Sequence, residues 1–372
     1  MNFADLLSYT DIEQLSRIAR QFSCVEDAHS KNRMIQSILI HYSRAPGGLM
    51  IPLHQLTEEE RNFLLLLLLD RREQLPLEEL EAKGKLAAQF SCREDPASPR
   101  SLIVQALNYG WLFRGVTRNS RDLFHIPQDL RAKALRTFRS YFTQGKEFLS
   151  ESPRFYRDDG LSLLQDLFFF LRFIENEEVL LTVEGVIYRR QLTQILKKMA
   201  VVEELPSAEG WRFGFGLHFR DYPDRFSLLY DYCYYHRLIA ENSGRLTITP
   251  QGQRALHDED KPTLLSLYQF WQRLYMRALP MLPLITYAIG EVSSEQWVSG
   301  NTLTAMLEPW VREFYYEDKE SLIRKRVVWV MLYLGLIQLG EWDGGEWGVR
   351  LSALGAELLQ QARGYEGNPI QL

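Results

Sequence analysis

The side chains best suited to chemistry in this sequence are cations spaced along predicted helices. Near the C-terminus, Lys319, Arg324, Lys325 and Arg326 fall within one amphipathic pattern, and Trp329 lies one turn beyond Lys325. Lysine and arginine neutralise phosphate groups, and an aromatic ring beside them can stack or dock. This spacing predicts a nucleic-acid contact on one helix.

The same cluster has a structural alternative. Three acidic residues flank it closely: Glu317, Asp318 and Glu320. Acids and bases three or four positions apart on a helix form ion pairs. In this alternative, residues 324–326 pair with those acids and Trp329 belongs to the core.

A second predicted helix, Tyr188–Met199, separates charge from apolar residues. Its apolar side contains Leu192, Ile195, Leu196 and Met199, as helical spacing requires. The cations of this helix are Arg189, Arg190, Lys197 and Lys198. Arg190, Lys197 and Lys198 share the other side with Gln194, so one side of the helix is basic, and together with Arg189 these cations are candidates for nucleic-acid binding.

A third basic stretch lies on a predicted connector helix, Asp129–Phe142. No acid occurs between Arg131 and Lys146, which makes it the longest basic stretch of the chain. We favour a solvated helix face, because such runs usually confer solubility. The alternative is a phosphate-contacting face that includes Arg136 and Arg139.

Residue patterns typical of enzymes are missing from the sequence. The seven histidines form no H-E-x-x-H, and no Cys/His pair has metal-ligand spacing. There is no G-x-x-x-x-G-K-[ST] loop, and the G-x-G at Gly214 and Gly216 lacks the third glycine of a dinucleotide loop. We therefore expect no enzyme activity, no cofactor and no metal.

The composition is that of an ordinary soluble protein. The chain has 372 residues, 46% of them apolar and 24% charged, and its net charge of −5 means that any nucleic-acid contact must be local. The N-terminus lacks the pattern of a signal peptide, and the apolar runs fall short of the roughly 18 to 20 residues that span a bilayer. We expect a cytoplasmic protein without a membrane segment.

The C-terminal cations belong to a helix that leads directly into a β-hairpin. Asp318 is the predicted N-cap of a helix ending at Leu334, before Gly335. Two strands, Leu336–Trp342 and Glu346–Leu351, follow around a glycine-containing turn. A helix followed by a two-stranded ribbon is the second half of a winged helix.

This ending is repeated earlier in the chain. After each predicted hairpin comes the pattern [ST]-x-x-G-x-x-x-L, starting at Thr249 and at Ser352. A less regular series of three helices and a hairpin follows a capping box at Thr57 and Glu60. We predict a mainly α fold with small β-hairpins (α+β), built as a helical lead-in (1–57) and tandem winged-helix modules at 58–150, 151–259 and 260–372.

A resemblance adds to this prediction. The segment Leu181–Leu192, LTVEGVIYRRQL, resembles the L-T-x-x-G-x-x-x-[KR]-x-x-L segment of a bacterial helicase-associated winged-helix family, whose members are similar to the N-terminal region of XPB-type DNA repair helicases. The hairpin and helix from Leu238 to Leu256 also fit that family. The resemblance implies an accessory role beside a superfamily-2 helicase in DNA repair. Because the ATP-binding loop is absent, the helicase would be a separate chain.

The sequence thus predicts a non-enzymatic DNA-binding or helicase-associated adaptor, with duplex DNA and a helicase as partners. In a winged helix the third helix enters the major groove, and the hairpin, here around Trp342 and Trp347, can touch the adjacent backbone. The alternative is a protein-interaction scaffold without nucleic-acid contact, since exposed aromatic residues also suit protein docking.

Overall fold

The computed structural model describes residues 1–23, 30–70, 72–115, 122–146, 148–206, 216–257, 260–314 and 317–362. Helices dominate, and the strands form three small antiparallel sheets. The predicted α+β class, with helices in the majority, is confirmed. No helix within the described ranges is both long and apolar enough to cross a bilayer.

The chain begins with three helices. These are α1 (Phe3–Tyr9), α2 (Ile12–Gln21) and α3 (Lys31–Arg44), followed by short 3₁₀ turns at Pro46–Gly48 and Leu53–Gln55. The Asp11 carboxylate caps α2 by accepting a hydrogen bond from the backbone N–H of Gln14 at 2.7 Å. The predicted helical lead-in corresponds to this part of the chain.

The first unit contains four segments of helix and strand before its hairpin. Its elements are α4 (Glu58–Leu69), β1 (Gln74–Pro76), α5 (Leu77–Gln89), α6 (Pro99–Asn108), β2 (Phe113–Arg114) and β3 (Leu123–His125). The predicted capping box opens α4, since the Thr57 N–H donates to the Glu60 carboxylate at 2.8 Å and the Glu60 N–H donates to the Thr57 hydroxyl oxygen at 3.3 Å. The sheet order is β1-β3-β2.

The connector helix α7 (Gln128–Thr143) leads to two very short strands, β4 (Phe148–Leu149) and β5 (Phe155–Arg157). The second unit then comprises α8 (Ser162–Asn176), β6 (Val179–Leu180), α9 (Arg189–Lys198), α10 (Asp224–Tyr235), β7 (Ile239–Asn242), β8 (Arg245–Ile248) and α11 (Pro250–Leu256). Its sheet order, β6-β8-β7, matches that of the first unit.

The third unit has the same sequence of elements with one additional helix. It contains α12 (Leu264–Tyr275), α13 (Leu282–Val292), β9 (Trp297–Ser299), α14 (Gly300–Leu307), α15 (Lys319–Leu322), a π-helical segment (Ile323–Val328), α16 (Trp329–Tyr333), β10 (Ile337–Glu341), β11 (Trp347–Leu351) and α17 (Ala353–Gln361). In all three units the strand before the helices pairs with the second strand of the hairpin.

The repeated [ST]-x-x-G pattern has a steric basis. The Thr249 hydroxyl accepts from the Gly252 N–H at 3.0 Å, and the Ser352 hydroxyl accepts from the Gly355 N–H at 2.8 Å. A Cβ on either glycine would lie only 2.1 or 2.0 Å from the carbonyl oxygen that precedes the hairpin. The hydroxyl therefore caps the last helix, and the glycine lets that helix approach the hairpin.

The third sheet differs from the other two because the linker adds a strand at each edge. Strand β4 pairs with β9 and β5 pairs with β10, which gives the order β4-β9-β11-β10-β5. Residues 148–157, which we call the strap, therefore cross the sheet within ten residues. Strands of two or three residues have no readable periodicity, so the sequence did not predict the strap.

Two glycines make room for the strap. Gly340 and Gly348 face each other across β10 and β11. A Cβ on Gly340 would lie 2.9 Å from Pro153, and one on Gly348 would lie 3.0 Å from Leu149. Larger side chains at these positions would push the strap off the sheet.

Candidate nucleic-acid interface

Helix α9 is the described helix on which all the predicted basic groups are exposed. Leu192, Ile195 and Leu196 are buried and fix one side of the helix to the core. The Gln191 side chain ties α9 to the segment around β6. It accepts a hydrogen bond from the Leu180 N–H at 3.0 Å and donates one to the Glu178 carbonyl at 2.7 Å. The outer side of α9 is therefore held in a fixed orientation.

The outer side presents four cations, which we call the α9 row: Arg189, Arg190, Lys197 and Lys198. All four are exposed, and α9 contains no acidic residue. Within the described ranges, no carboxylate oxygen lies within 4.0 Å of their charged nitrogens. The nearby Glu178 carboxylate is paired with Arg245 at 2.8 Å. The Lys198 ammonium lies over the Phe173 ring, 5.8 Å from its centroid, and the row has no anionic partner among the described residues.

The first turn of α9 is arranged against the helix dipole. Arg189 and Arg190 lie at the helix N-terminus, where positive charge is unfavourable, and the Tyr188 side chain makes no cap hydrogen bond. A phosphate placed here would interact favourably with both guanidinium groups and with the backbone N–H groups of the first turn.

A tight turn precedes α9 and projects from the surface. The Thr182 N–H donates to the Val186 carbonyl at 2.8 Å, and the Gly185 N–H donates to the Thr182 carbonyl at 3.0 Å. Gly185 has φ +78°, a left-handed conformation that favours glycine. Val183 at the tip is fully exposed, with a relative accessibility of 101%. We call residues 182–185 the 182–185 turn.

The cations of the third unit have different surroundings. The Lys319 ammonium is 3.4 Å from the Glu308 carboxylate, and the Lys325 ammonium is 3.9 Å from Glu317. Arg326 is only 4% exposed, and its guanidinium lies 3.2 Å from Glu317 and 3.6 Å from Asp224. The structure corrects the assignment of Arg326 to a nucleic-acid surface, because a buried and paired guanidinium is not available to phosphate.

The aromatic residues of the third unit are also engaged. The Arg324 guanidinium lies over the Trp347 ring, 5.4 Å from its centroid, and Trp347 is nearly buried. Trp329 is half-buried, and the Arg157 guanidinium lies over its ring, 5.5 Å from the ring centroid. The Trp342 indole N–H donates to the Glu151 carbonyl of the strap at 3.2 Å. The predicted contact of this hairpin with DNA would require the strap to share the same surface.

On the connector helix α7, the two candidate arginines differ. The Arg139 guanidinium donates to Ser294 at 3.0 Å and lies 2.5 Å from Glu295 and 3.9 Å from Glu291. Arg136 is exposed and lines, together with Arg139, a cleft between α7 and α13. Arg139 thus ties α7 to the third unit, and only Arg136 points its charge to solvent.

The third helices of the first two units differ in exposure. Every residue of α10 from Arg225 to Cys233 is buried, so this helix is not available to enter a major groove. Helix α6 buries Leu102, Ile103 and Ala106 and faces α2, where the Gln14 side chain donates to the Leu107 carbonyl at 3.5 Å. The other side of α6 is open, since Val104 is 46% exposed.

Comparisons with known families, curated proteins and solved structures found no match.

Burial also creates a group of titratable side chains around α10 that the sequence did not indicate. Burial raises the pKa of Glu203 to about 7, although its carboxylate accepts from the backbone N–H groups of Arg225 at 3.1 Å and Phe226 at 2.9 Å. Burial likewise raises the pKa of Asp231 to about 7, and its carboxylate accepts one hydrogen bond from the Leu217 N–H at 3.1 Å. These carboxyls have structural partners.

A polar aromatic cluster lies beneath the 182–185 turn. The Tyr230 hydroxyl donates to Glu241 at 2.7 Å, His218 lies 3.5 Å from the same carboxylate, and the Ile187 N–H donates to the Tyr222 hydroxyl at 2.9 Å. Within the described part of the chain, no three His, Cys, Asp or Glu side chains come together as metal ligands. The cluster supports the turn from below.

Proposed function

We propose that this chain is a non-enzymatic, helicase-associated DNA-binding adaptor that holds the phosphate backbone of duplex DNA on the α9 row. The observation that carries the proposal is the exposure of four cations with no carboxylate within 4.0 Å among the described residues. Such an arrangement favours phosphate, since the cations gain a negatively charged partner that the described residues do not supply.

We also propose that the three units are tandem winged helices. Support comes from the shared strand order, in which the first strand of each unit pairs with the second strand of its hairpin. The shared helix caps after the second and third hairpins support the same assignment.

Binding through α9 is proposed to be insensitive to base sequence. In this topology α9 is the second helix of its unit, whereas base edges are read by the third helix. The corresponding helix, α10, is buried from Arg225 to Cys233. Long cationic side chains on α9 can reach phosphates without entering the groove.

The proposed protein partner is a superfamily-2 helicase acting as a separate chain. This part of the proposal follows from the resemblance of Leu181–Leu192 and from the lack of an ATP-binding loop in the sequence. The adaptor would contact the phosphate backbone of the DNA, while the helicase would supply the ATP-driven movement along it.

A second candidate function is a protein-interaction scaffold. It is favoured by the burial of α10 and by three exposed apolar side chains that precede α9, namely Leu180, Val183 and Tyr188. In this case the α9 row would meet an acidic protein surface.

Fluorescence anisotropy with labelled duplex DNA at 50 mM salt tests the two functions. We expect R189Q/R190Q/K197Q/K198Q to lose roughly 100-fold in affinity if four phosphate contacts are removed. The matched control is K319Q/R324Q/K325Q, which should stay within about threefold of the wild type because those cations already have partners. Failure of the wild-type protein to bind duplex at this salt would support the scaffold.

A further inference from the structure

The 182–185 turn is held rigidly. Beyond its internal hydrogen bonds, the Leu181 N–H donates to the Gly244 carbonyl at 2.8 Å, and the Ile187 N–H donates to the buried Tyr222 hydroxyl at 2.9 Å. A Cβ on Gly185 would lie 3.1 Å from the Glu241 carboxylate, so the turn sits closely on the hairpin below. The tip therefore projects as a fixed feature.

This fixed turn presents apolar groups to solvent. Val183 is 101% exposed, Tyr188 is 50% exposed and Leu180 is 40% exposed. The Tyr188 N–H donates to the Leu180 carbonyl at 3.3 Å, which holds these two residues side by side. We call Leu180, Val183 and Tyr188 the turn patch. It costs free energy in water unless a partner covers it.

The charge beside the turn patch indicates the chemistry of that partner. Tyr188 is followed directly by Arg189 and Arg190, and the α9 row continues through Lys197 and Lys198. A partner must therefore offer an apolar or aromatic surface next to a line of negative charge. Within an intact duplex the base faces are stacked on each other, so none of them is free beside the charged backbone, and only base edges are exposed in the grooves.

At the junction between paired and unpaired DNA, the last base pair exposes its face beside both phosphate backbones. Aromatic side chains stack on such faces, and apolar side chains act as wedges at disrupted base steps. The turn patch and the α9 row together match this combination of surfaces.

We propose that the 182–185 turn and Tyr188 cover the terminal base pair at a junction of double-stranded and single-stranded DNA, while the α9 row holds the adjacent duplex. This inference rests on the proposed DNA-binding function and specifies the DNA structure that is bound.

Glu184 opposes binding at the same tip. Its carboxylate accepts hydrogen bonds from its own backbone N–H and from the Thr182 hydroxyl, and these lower its pKa. The group stays ionised at neutral pH, and its interaction with phosphate is repulsive. The attraction must therefore come from the turn patch and the α9 row.

The test measures the affinity of the full chain for a labelled fork, with closed circular duplex, which has no ends, as competitor. We expect the fork to bind roughly tenfold more tightly than the same length of circular duplex. V183S/Y188A should abolish this preference and leave duplex affinity unchanged. V202S is the matched control, because Val202 is 64% exposed and lies beyond the C-terminal end of α9, away from the turn patch.

A second readout uses 2-aminopurine placed in the last base pair of the fork. Stacking of Tyr188 on that base should change its fluorescence in the wild type and in V202S, and the change should be absent in Y188A. Equal affinities for fork and circular duplex, with both dependent on the α9 row, would overturn the junction inference alone. Binding to neither DNA would overturn the proposed function itself.

Discussion

Two groups of four cations, the α9 row and the group formed by Lys319, Arg324, Lys325 and Arg326, differ in what surrounds them. In the third-unit group, Glu308 and Glu317 approach the lysines, and Arg326 is buried. The α9 row has no such partners among the described residues. The number of cations in a stretch therefore says little about binding, and the position of acidic neighbours says more.

The largest expected effect concerns Arg326, which is buried and paired with Glu317, unlike the exposed cations of the α9 row. Arg326→Met should lower the free energy of unfolding by about 3 to 5 kcal/mol, because the buried Glu317 would lose its closest partner and keep only the exposed Lys325 ammonium at 3.9 Å. Arg190→Met on the exposed α9 row should change it by less than about 0.5 kcal/mol. Urea denaturation of both variants checks the difference, and equal effects would show that the two side chains contribute equally to folding.

A second prediction concerns α10, which is buried, whereas the corresponding helix of the third unit (residues 319–333) is partly exposed. It tests whether buried carboxyls at α10 affect the stability of the fold. The pKa values of Glu203 and Asp231 rise on folding from 4.5 and 3.8 to about 7. Below about pH 3 both carboxyls are largely protonated in either state. Between about pH 4.5 and 7 the unfolded chain loses these protons while the folded chain retains them, so stability must fall as pH rises.

The expected fall is on the order of 2 to 3 kcal/mol per carboxyl between pH 5 and 7, with little further change above the folded pKa values. E203Q/D231N should flatten this part of the profile. The measurement is urea denaturation at half-unit pH steps. A double variant that keeps the wild-type slope would show that other groups cause it.

A third prediction concerns the hairpins that follow these helices. The third-unit hairpin is covered by the strap, whereas β7 of the second unit has no second neighbouring strand among the described residues. Gly340→Ala should place a Cβ 2.9 Å from Pro153 and cost about 1 to 3 kcal/mol of stability. Thr247→Ala on the exposed face of β8 is the control and should cost less than about 1 kcal/mol. Thermal unfolding of both variants measures the difference. Equal stability of the two variants would show that the strap can move away from residue 340 without loss of stability.

The smallest expected effect is electrostatic. Glu184→Gln removes the one negative charge at the tip of the 182–185 turn and should tighten DNA binding about two- to threefold at low salt. Glu320→Gln, an equally exposed acid on the third-unit helix, should have no effect. Anisotropy titrations compare the two variants, and tighter binding by Glu320→Gln would place the interface on the third unit instead.

Local parts of this architecture could be predicted from sequence because their causes are local. The hydroxyl caps at Thr249 and Ser352 and the glycines three residues later act within one turn of helix. The apolar side of α9 likewise follows from helical spacing. The predicted hairpins of the second and third units are confirmed for the same reason.

Other parts depend on residues far apart in the chain. Arg326 is buried partly because Asp224 lies 3.6 Å away, a contact across about one hundred positions that no periodicity reveals. The strap pairs residues near 150 with strands beyond 295. The openness of the α9 row also depends on which acids the fold brings near it. The sequence therefore indicated which cations are candidates, but it could not predict which of them are exposed and free of acidic neighbours.

The most direct test of the central claim is the salt dependence of duplex binding by the wild type, the α9-row variant R189Q/R190Q/K197Q/K198Q and the third-unit variant K319Q/R324Q/K325Q. We predict that the plot of log K against log salt becomes shallower by about 3 to 4 for the α9-row variant, since each phosphate contact contributes about 0.9, and that the third-unit variant keeps the wild-type slope. An unchanged slope in the α9-row variant, or a shallower slope only in the third-unit variant, would contradict this account.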